Sequence, residues 1–216
     1  MATKLFIICG HGAGDPGAIG NGYHEEERVR ALAKRIKELG GDSVIIGDTS
    51  KDWYKSKLVN NNNIPKGVPA LELHMNSWTT SSPRGACVLI DADYEADSYD
   101  KALADNICSI LPGRDTKIVP RGNLANLNRA QAAGINYRFL ECGFISNPED
   151  VKIFNTRMTD IAKGILMSFG IKPMEKPADS GKLYRVQVGA FSNKANAEKL
   201  MKELKSKGYN AIIKED

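Results

Sequence analysis

The sequence predicts an α/β protein: a twisted, mainly parallel sheet flanked by helices, followed by a small βαβ unit. Three observations carry this. Short apolar runs alternate with segments of helical periodicity, the pattern of parallel strands joined by crossover helices. A glycine-rich loop separates the first strand from the first helix. Near the end, a stretch rich in proline and charge precedes a segment that itself runs strand, helix, strand. With 216 residues, 42% of them hydrophobic and 26% charged, the chain has room for one domain of ordinary size and a small remainder.

Each element has its own signal. Lys4 to Cys9 is an apolar run ending at Gly10, hence a strand, and Gly12 to Gly22 holds five glycines, hence a wide loop. Val29, Leu32, Ala33, Ile36 and Leu39 recur at helical spacing after an acidic first turn, with Gly40 just past the last of them. Ser43 to Ile46, Pro69 to His74, Gly85 to Asp91 and Ile135 to Glu141 read as further strands. Ser98 to Leu111 is a helix stopped by Pro112 and Gly113. Asn147 and Pro148 suit a cap and first helical position, opening a helical region that breaks near Asn155 and continues to Phe169. Ile171 to Lys182, with two prolines and no periodicity, is a linker. Beyond it, Tyr184, Val186 and Val188 alternate with polar residues, Ala197, Leu200, Met201 and Leu204 mark a helix ending at Gly208, and Ala211 to Lys214 is a strand. The expected organisation is a domain over 1–170, a linker over 171–182 and a second unit over 183–216.

The charge is unevenly placed. Residues 182–216 hold eight of the 30 Lys+Arg but only four of the 26 Asp+Glu, so the whole net charge of +4 belongs to the tail. Leu5 to Cys9, the longest apolar run near the start, is far too short for a signal-peptide core or a membrane span. The expectation is a chain made in the cytoplasm, with no signal peptide and no membrane insertion. Cys9, Cys87, Cys108 and Cys142 form no CxxC pair and lie in apolar stretches, so buried reduced thiols are expected.

In a parallel sheet functional groups gather at the carboxyl ends of the strands. His11 follows LFIIC, His74 follows PALEL and Glu141 follows NYRFL. Glu25 opens a helix, and the glycine-rich loop is long enough to fold it back towards His11. Two imidazoles and a carboxylate suit a catalytic Zn²⁺, because three protein ligands leave the fourth tetrahedral position for a reactive water. The remaining glutamate is then available to handle protons. Alternatives stay open on the residues alone: His24, Glu26 or Glu27 in place of Glu25, with Glu26 the first of them, and Co²⁺ or Mn²⁺ in the same ligand set. Cys142 is a conceivable nucleophile, but a packed thiol suits its apolar setting better.

GHGAGDPGAIG, GYHE, LHMNS and LECGFISNPED occur in this order, and with them residues 5–169 resemble the zinc-dependent N-acetylmuramoyl-L-alanine amidases of the Amidase_3 type. The resemblance implies that His11, Glu25 and His74 bind Zn²⁺, that Glu141 is the catalytic carboxylate and that Asn76 lies near the substrate. It also implies hydrolysis of the amide between the lactyl group of N-acetylmuramic acid and the L-alanine of the stem peptide in bacterial peptidoglycan. Asn60 to Asn63 match the family pattern loosely, the arginine usual a few residues earlier being absent and Lys57 the nearest base, and take no role. The tail, YRVQVGAFSNKANAEKLMKELKSKGYNAIIKED, resembles the first half of a SPOR domain, a peptidoglycan-binding module related to the RNP-like fold. A unit this small falls below the ~40 residues at which a domain folds without help, so a homodimer through residues 183–216 is expected. With only Tyr184, Phe191 and Tyr209 as aromatics, the tail lacks base-stacking platforms, and no nucleic-acid partner is expected. The expected setting is a phage or prophage endolysin held in the cytoplasm until lysis; a sporulation mother-cell autolysin, or a catalytically silent wall-binding protein, is the alternative.

Overall fold

The computed structural model describes residues 4–174, 187–207, 209 and 211–214. The chain divides into two compact units, Met1–Lys176 and Pro177–Asp216. In the first, strands β1 (Leu5–Cys9), β4 (Val44–Ile46), β5 (Ala70–Asn76), β6 (Cys87–Asp91), β7 (Ile118–Arg121) and β8 (Tyr137–Phe144) form one sheet in the order β4-β1-β5-β8-β6-β7. Strands β2 (Ile19–Gly20) and β3 (Tyr23–His24) pair as a hairpin inside the glycine-rich loop. The ladders are parallel except where β6 runs against β8.

The helices are α1 (Glu25–Gly40), α2 (Ser98–Ile110), α3 (Ala125–Ala132), α4 (Pro148–Thr156) and α5 (Met158–Ser168). Both faces of the sheet are buried. Strand β5 shows why: Leu71, Leu73 and Met75 point into a cluster with Leu32, Ile36, Leu103, Ile107 and Ile165 from α1, α2 and α5. Ala70 points the other way, into a cluster of Phe6, Ile8, Trp53, Leu127 and Phe139. Since side chains alternate along a strand, Glu72 and His74 lie on this second face, where the short α3 and the segment between β4 and β5 pack.

Helix α2 begins with a capping box in which Asp97 accepts from the Asp100 amide and Asp100 accepts from the Asp97 amide. The fully buried Arg138 of β8 locks onto that turn, donating from Nε to Asp100 at 2.7 Å and from Nη2 to Asp97 at 2.9 Å. Asp150, also fully buried, accepts from the amides of Gly85 at 2.7 Å and Phe144 at 2.9 Å. Gly143 has φ +82, and a Cβ there would meet the Asp150 carboxylate at 3.0 Å. The GFISNPED run thus pins the chain just after Glu141: Asn147 caps α4, Pro148 opens it and Asp150 reaches back.

Several expectations need correction. Strand β7 and helix α3 were not foreseen: β7 is short and contains Pro120, which only an edge strand tolerates, and α3 buries only Asn126, Leu127 and Ala130 and lacks a side-chain cap. The break expected near Asn155 is present, at Arg157, whose φ is −115. In the second unit, helix α6 (Lys194–Ser206) forms with Asn193 as its cap. The strand expected at 211–214 is not formed there, nor does Val188 lie in one, and Tyr184 and Val186 lie outside the described residues. The expected linker is described only over 171–174, where Ile171 is buried in the first unit. No described residue of α6 is fully buried, and a lone two-stranded pairing is marginal in water. Among the described residues no helix is long and apolar enough to cross a membrane.

Arg138 and Asp100 make a stability prediction. Arg138→Met should strand the Asp100 charge in the interior and cost ~3–5 kcal/mol in urea unfolding, whereas adding Asp100→Leu should restore a large part of the loss.

Candidate active site

Strand β1 delivers the chain to His11, whose φ of +58 is rare for a side chain other than glycine. Such strain concentrates at functional sites. Here it follows the turn out of β1, and Arg30 of α1 braces it by donating to the carbonyls of Gly10 at 3.3 Å and His11 at 3.0 Å. The loop then returns to α1, whose N-cap His24 makes no capping bond. Glu25 is therefore free to turn inwards, and it is 3% exposed.

Glu25 Oε1 lies 2.8 Å from His74 Nδ1, and Oε2 lies 3.2 Å from His11 Nε2. The same carboxylate accepts from the amides of Met75 at 3.0 Å and Ala18 at 2.9 Å. One ligand atom from each of His11, Glu25 and His74 falls within a 4.8 Å cluster. Glu26 points elsewhere, pairing with Arg30 at 3.1 Å. Burial pushes the Glu25 carboxyl upwards, but the hydrogen bonds from both imidazoles outweigh it and hold the group well below the usual carboxylate range. The bond to Glu25 raises His11; burial lowers His74, but its bonds to Glu25 and Glu72 win and raise it well above an ordinary imidazole.

Zinc bonds of about 2.0–2.1 Å in a tetrahedron set neighbouring ligand atoms ~3.3 Å apart. The separations of 2.8 and 3.2 Å are close to that edge length. The donor types are those zinc prefers, and a metal bound there would release the protons between Glu25 and the imidazoles.

Glu141 lies directly across the β5–β8 ladder from His74. Its Oε2 is shut off from solvent and has no hydrogen-bond partner. Burial, reinforced by the Glu25 charge, pushes its carboxyl up to about 7. Asn76 lies two residues beyond His74, past a register shift in the ladder, with its side chain accepting from the Ser77 amide at 2.8 Å. Cys9 and Cys142 are buried in the first core cluster, and burial pushes Cys9 up to about 12 and Cys142 well above an ordinary thiol. Neither is a credible nucleophile at neutral pH.

Three contributors escaped the sequence reading. Asp15 of the glycine-rich loop lies 3.4 Å from His11 Nδ1 and 2.9 Å from Lys55 Nζ, and the Lys55 bond lowers its carboxyl to about 2. Glu72 lies 3.1 Å from His74 Nε2. Gly10 is packed under the imidazole, since a Cβ on it would lie 2.2 Å from His74 Cε1. Glu72 had one available signal: an acid in an apolar strand, two residues from a candidate ligand and so on the same face.

Two imidazoles and a buried carboxylate at the carboxyl edge of an α/β sheet, with an unpartnered carboxyl beside them, suit a hydrolase of the metal-assisted class. Comparison with known proteins narrows the class: the chain belongs to the N-acetylmuramoyl-L-alanine amidase family, whose model matches residues 5–169. A SPOR domain matches residues 175–216. A probable autolysin of Staphylococcus aureus is 33% identical over 68% of this chain, which spans only 34% of that protein. The sporulation-specific N-acetylmuramoyl-L-alanine amidase of Bacillus subtilis is 29% identical over 98% of this chain and 84% of its own length. Among solved structures, an N-acetylmuramoyl-L-alanine amidase from Clostridium difficile 630 aligns with TM-score 0.62 at 21% identity over 77% of this chain and 94% of its own. The catalytic domain of an endolysin targeting Clostridia difficile aligns with TM-score 0.60 at 21% identity over 81% of this chain and all of its own. At such identities the structures speak for the fold.

The Gly10 contact yields a prediction. Gly10→Ala should push the His74 ring aside and weaken divalent-metal binding at least ~10-fold, the scale of losing a ligand's orientation, with the circular dichroism spectrum unchanged; chelator competition reads the affinity.

Proposed function

We propose that this chain is a zinc hydrolase that cleaves the amide bond between N-acetylmuramic acid and L-alanine in peptidoglycan. The observation that carries the reading is the cluster of His11, Glu25 and His74 with Glu141 across the ladder. His11, Glu25 and His74 are the ligands, and the bound Zn²⁺ supplies Lewis-acid polarisation of the amide carbonyl and a lowered water pKa. Glu141 is the general base and then the general acid. Its carboxyl takes a proton from the attacking water and returns it to the departing alanine nitrogen, which leaves poorly unless protonated. The lack of any partner on its buried Oε2 supports this, because an uncompensated carboxylate holds a proton more readily, as a base must. Asn76, at the end of β5, is positioned to hold the substrate near the site.

The tail supplies attachment to the wall. Its basic surplus and the SPOR match support binding to peptidoglycan that weakens with salt. Pairing of two tails would cover the exposed Val188 and Ile212 and make a homodimer through 183–216; a monomer in light scattering at micromolar concentration would count against it. We place the enzyme as a phage or prophage endolysin acting on the wall after cytoplasmic accumulation. A second reading, a sporulation autolysin, is supported by the likeness to the Bacillus subtilis sporulation amidase, which extends over 98% of this chain.

Digestion of purified Gram-positive peptidoglycan tests the reaction. New L-alanine amino termini should appear, vanish with chelator and return with zinc. Glu141→Gln should keep its zinc and lose ~10²–10⁴-fold in rate, while His11→Ala and His74→Ala should lose the metal. New reducing sugars in place of amino termini would refute the bond assignment, and wall pelleting without cleavage would leave a binding protein.

A further inference from the structure

His74 has two nitrogens, and the structure engages both. Nδ1 faces Glu25 at 2.8 Å, while Nε2 lies 3.1 Å from Oε1 of Glu72. Glu72 is 2% exposed and has no lysine or arginine hydrogen-bonded to it among the described residues. Instead its two oxygens accept from Asn126 Nδ2 at 3.2 and 3.0 Å, and Oε2 also accepts from the Tyr137 hydroxyl. Asn126 is fixed in turn, because Arg129 Nη1 donates to its Oδ1 at 2.7 Å and so leaves the amide nitrogen towards Glu72. The imidazole plane is held by stacking on Phe139, with ring centroids 5.0 Å apart, and by the bare backbone of Gly10 beneath.

A carboxylate can only accept, so the proton facing Glu72 must reside on Nε2. When a cation displaces the other proton, the lone pair is left on Nδ1, aimed into the Glu25 and His11 cluster. We propose that Glu72, clamped by Asn126 and Tyr137, is the positioning residue that fixes His74 as an Nδ1 ligand and strengthens it as a donor. The assignment rests on the metal-hydrolase reading above. A buried carboxylate serving only to join β5, α3 and β8 would need Asn126 and Tyr137 but not His74. The third contact, to the ligand itself, separates the two roles, since a carboxylate behind a metal-binding histidine orients the ring and raises its basicity. His11 has a weaker counterpart in Asp15, which is 3.4 Å away, partly exposed and shared with Lys55.

The test compares the full chain with Glu72→Gln, Tyr137→Phe and His74→Ala, all stripped of metal and titrated with zinc against a chromogenic chelator. Thermal unfolding of the stripped proteins reports fold integrity. Glu72→Gln should bind zinc ~10–100-fold more weakly, and Tyr137→Phe should move in the same direction by less. In zinc-loaded wild type, long-range ¹H–¹⁵N spectra should show the His74 proton on Nε2, and in Glu72→Gln that signal should shift or broaden. Wild-type zinc affinity in both variants, with His74→Ala impaired, overturns the positioning role; should Glu72→Gln fail to fold, Tyr137→Phe decides alone. Unchanged affinity in His74→Ala, or no zinc binding by wild type, overturns the hydrolase reading itself and is distinguishable on that ground.

Discussion

The Glu25 carboxylate, 3% exposed, gathers the amides of Ala18 and Met75 and the imidazoles of His11 and His74. These partners come from the glycine-rich loop, strand β5 and the end of strand β1, so one side chain at the start of α1 joins three segments at the carboxyl edge of the sheet. A buried negative charge is tolerated only when it is paired and hydrogen-bonded. In this state the compensation is protonic, with both imidazoles raised. A divalent cation bound there would supply the same compensation without those protons, so that its uptake would release them.

That constraint explains features otherwise unconnected. His11 adopts a left-handed backbone, and Arg30 is occupied in bracing the turn. Gly17 is required where φ is +66 and where a Cβ would lie 2.6 Å from the His11 ring and 2.8 Å from Glu25. Helix α1 starts at an N-cap, His24, that makes no side-chain cap, and its first acid serves the cluster. On the β8 side, Asp150 and Gly143 fasten the backbone beyond Glu141, and Cys87 of the antiparallel β6 lies opposite Glu141 as an apolar wall. Burial around the unpartnered Oε2 is why the Glu141 carboxyl is pushed up.

Much of the architecture was legible because it depends on local pattern. The uniformly apolar β1, the 3.6-residue stripe of α1 and the Asn147-Pro148 opening of α4 are written in adjacent residues. Strand β7 and helix α3 were not, since each gains its place from the sheet it covers rather than from its own pattern. The tail divides the same way: α6 follows from its apolar spacing, whereas strands need partners that no local signal specifies.

By itself the sequence determined the residue types of the site, its strand-end placement and the division of charge between body and tail, because these depend on composition and short-range spacing. Only the tertiary structure decided that Glu25 faces the imidazoles while Glu26 pairs with Arg30, that the sheet turns antiparallel at β6, and that Glu72 and Gly10 enclose His74. These outcomes rest on contacts between segments up to 65 residues apart, as between Tyr137 and Glu72. Their distances and burial arise only when the chain closes on itself.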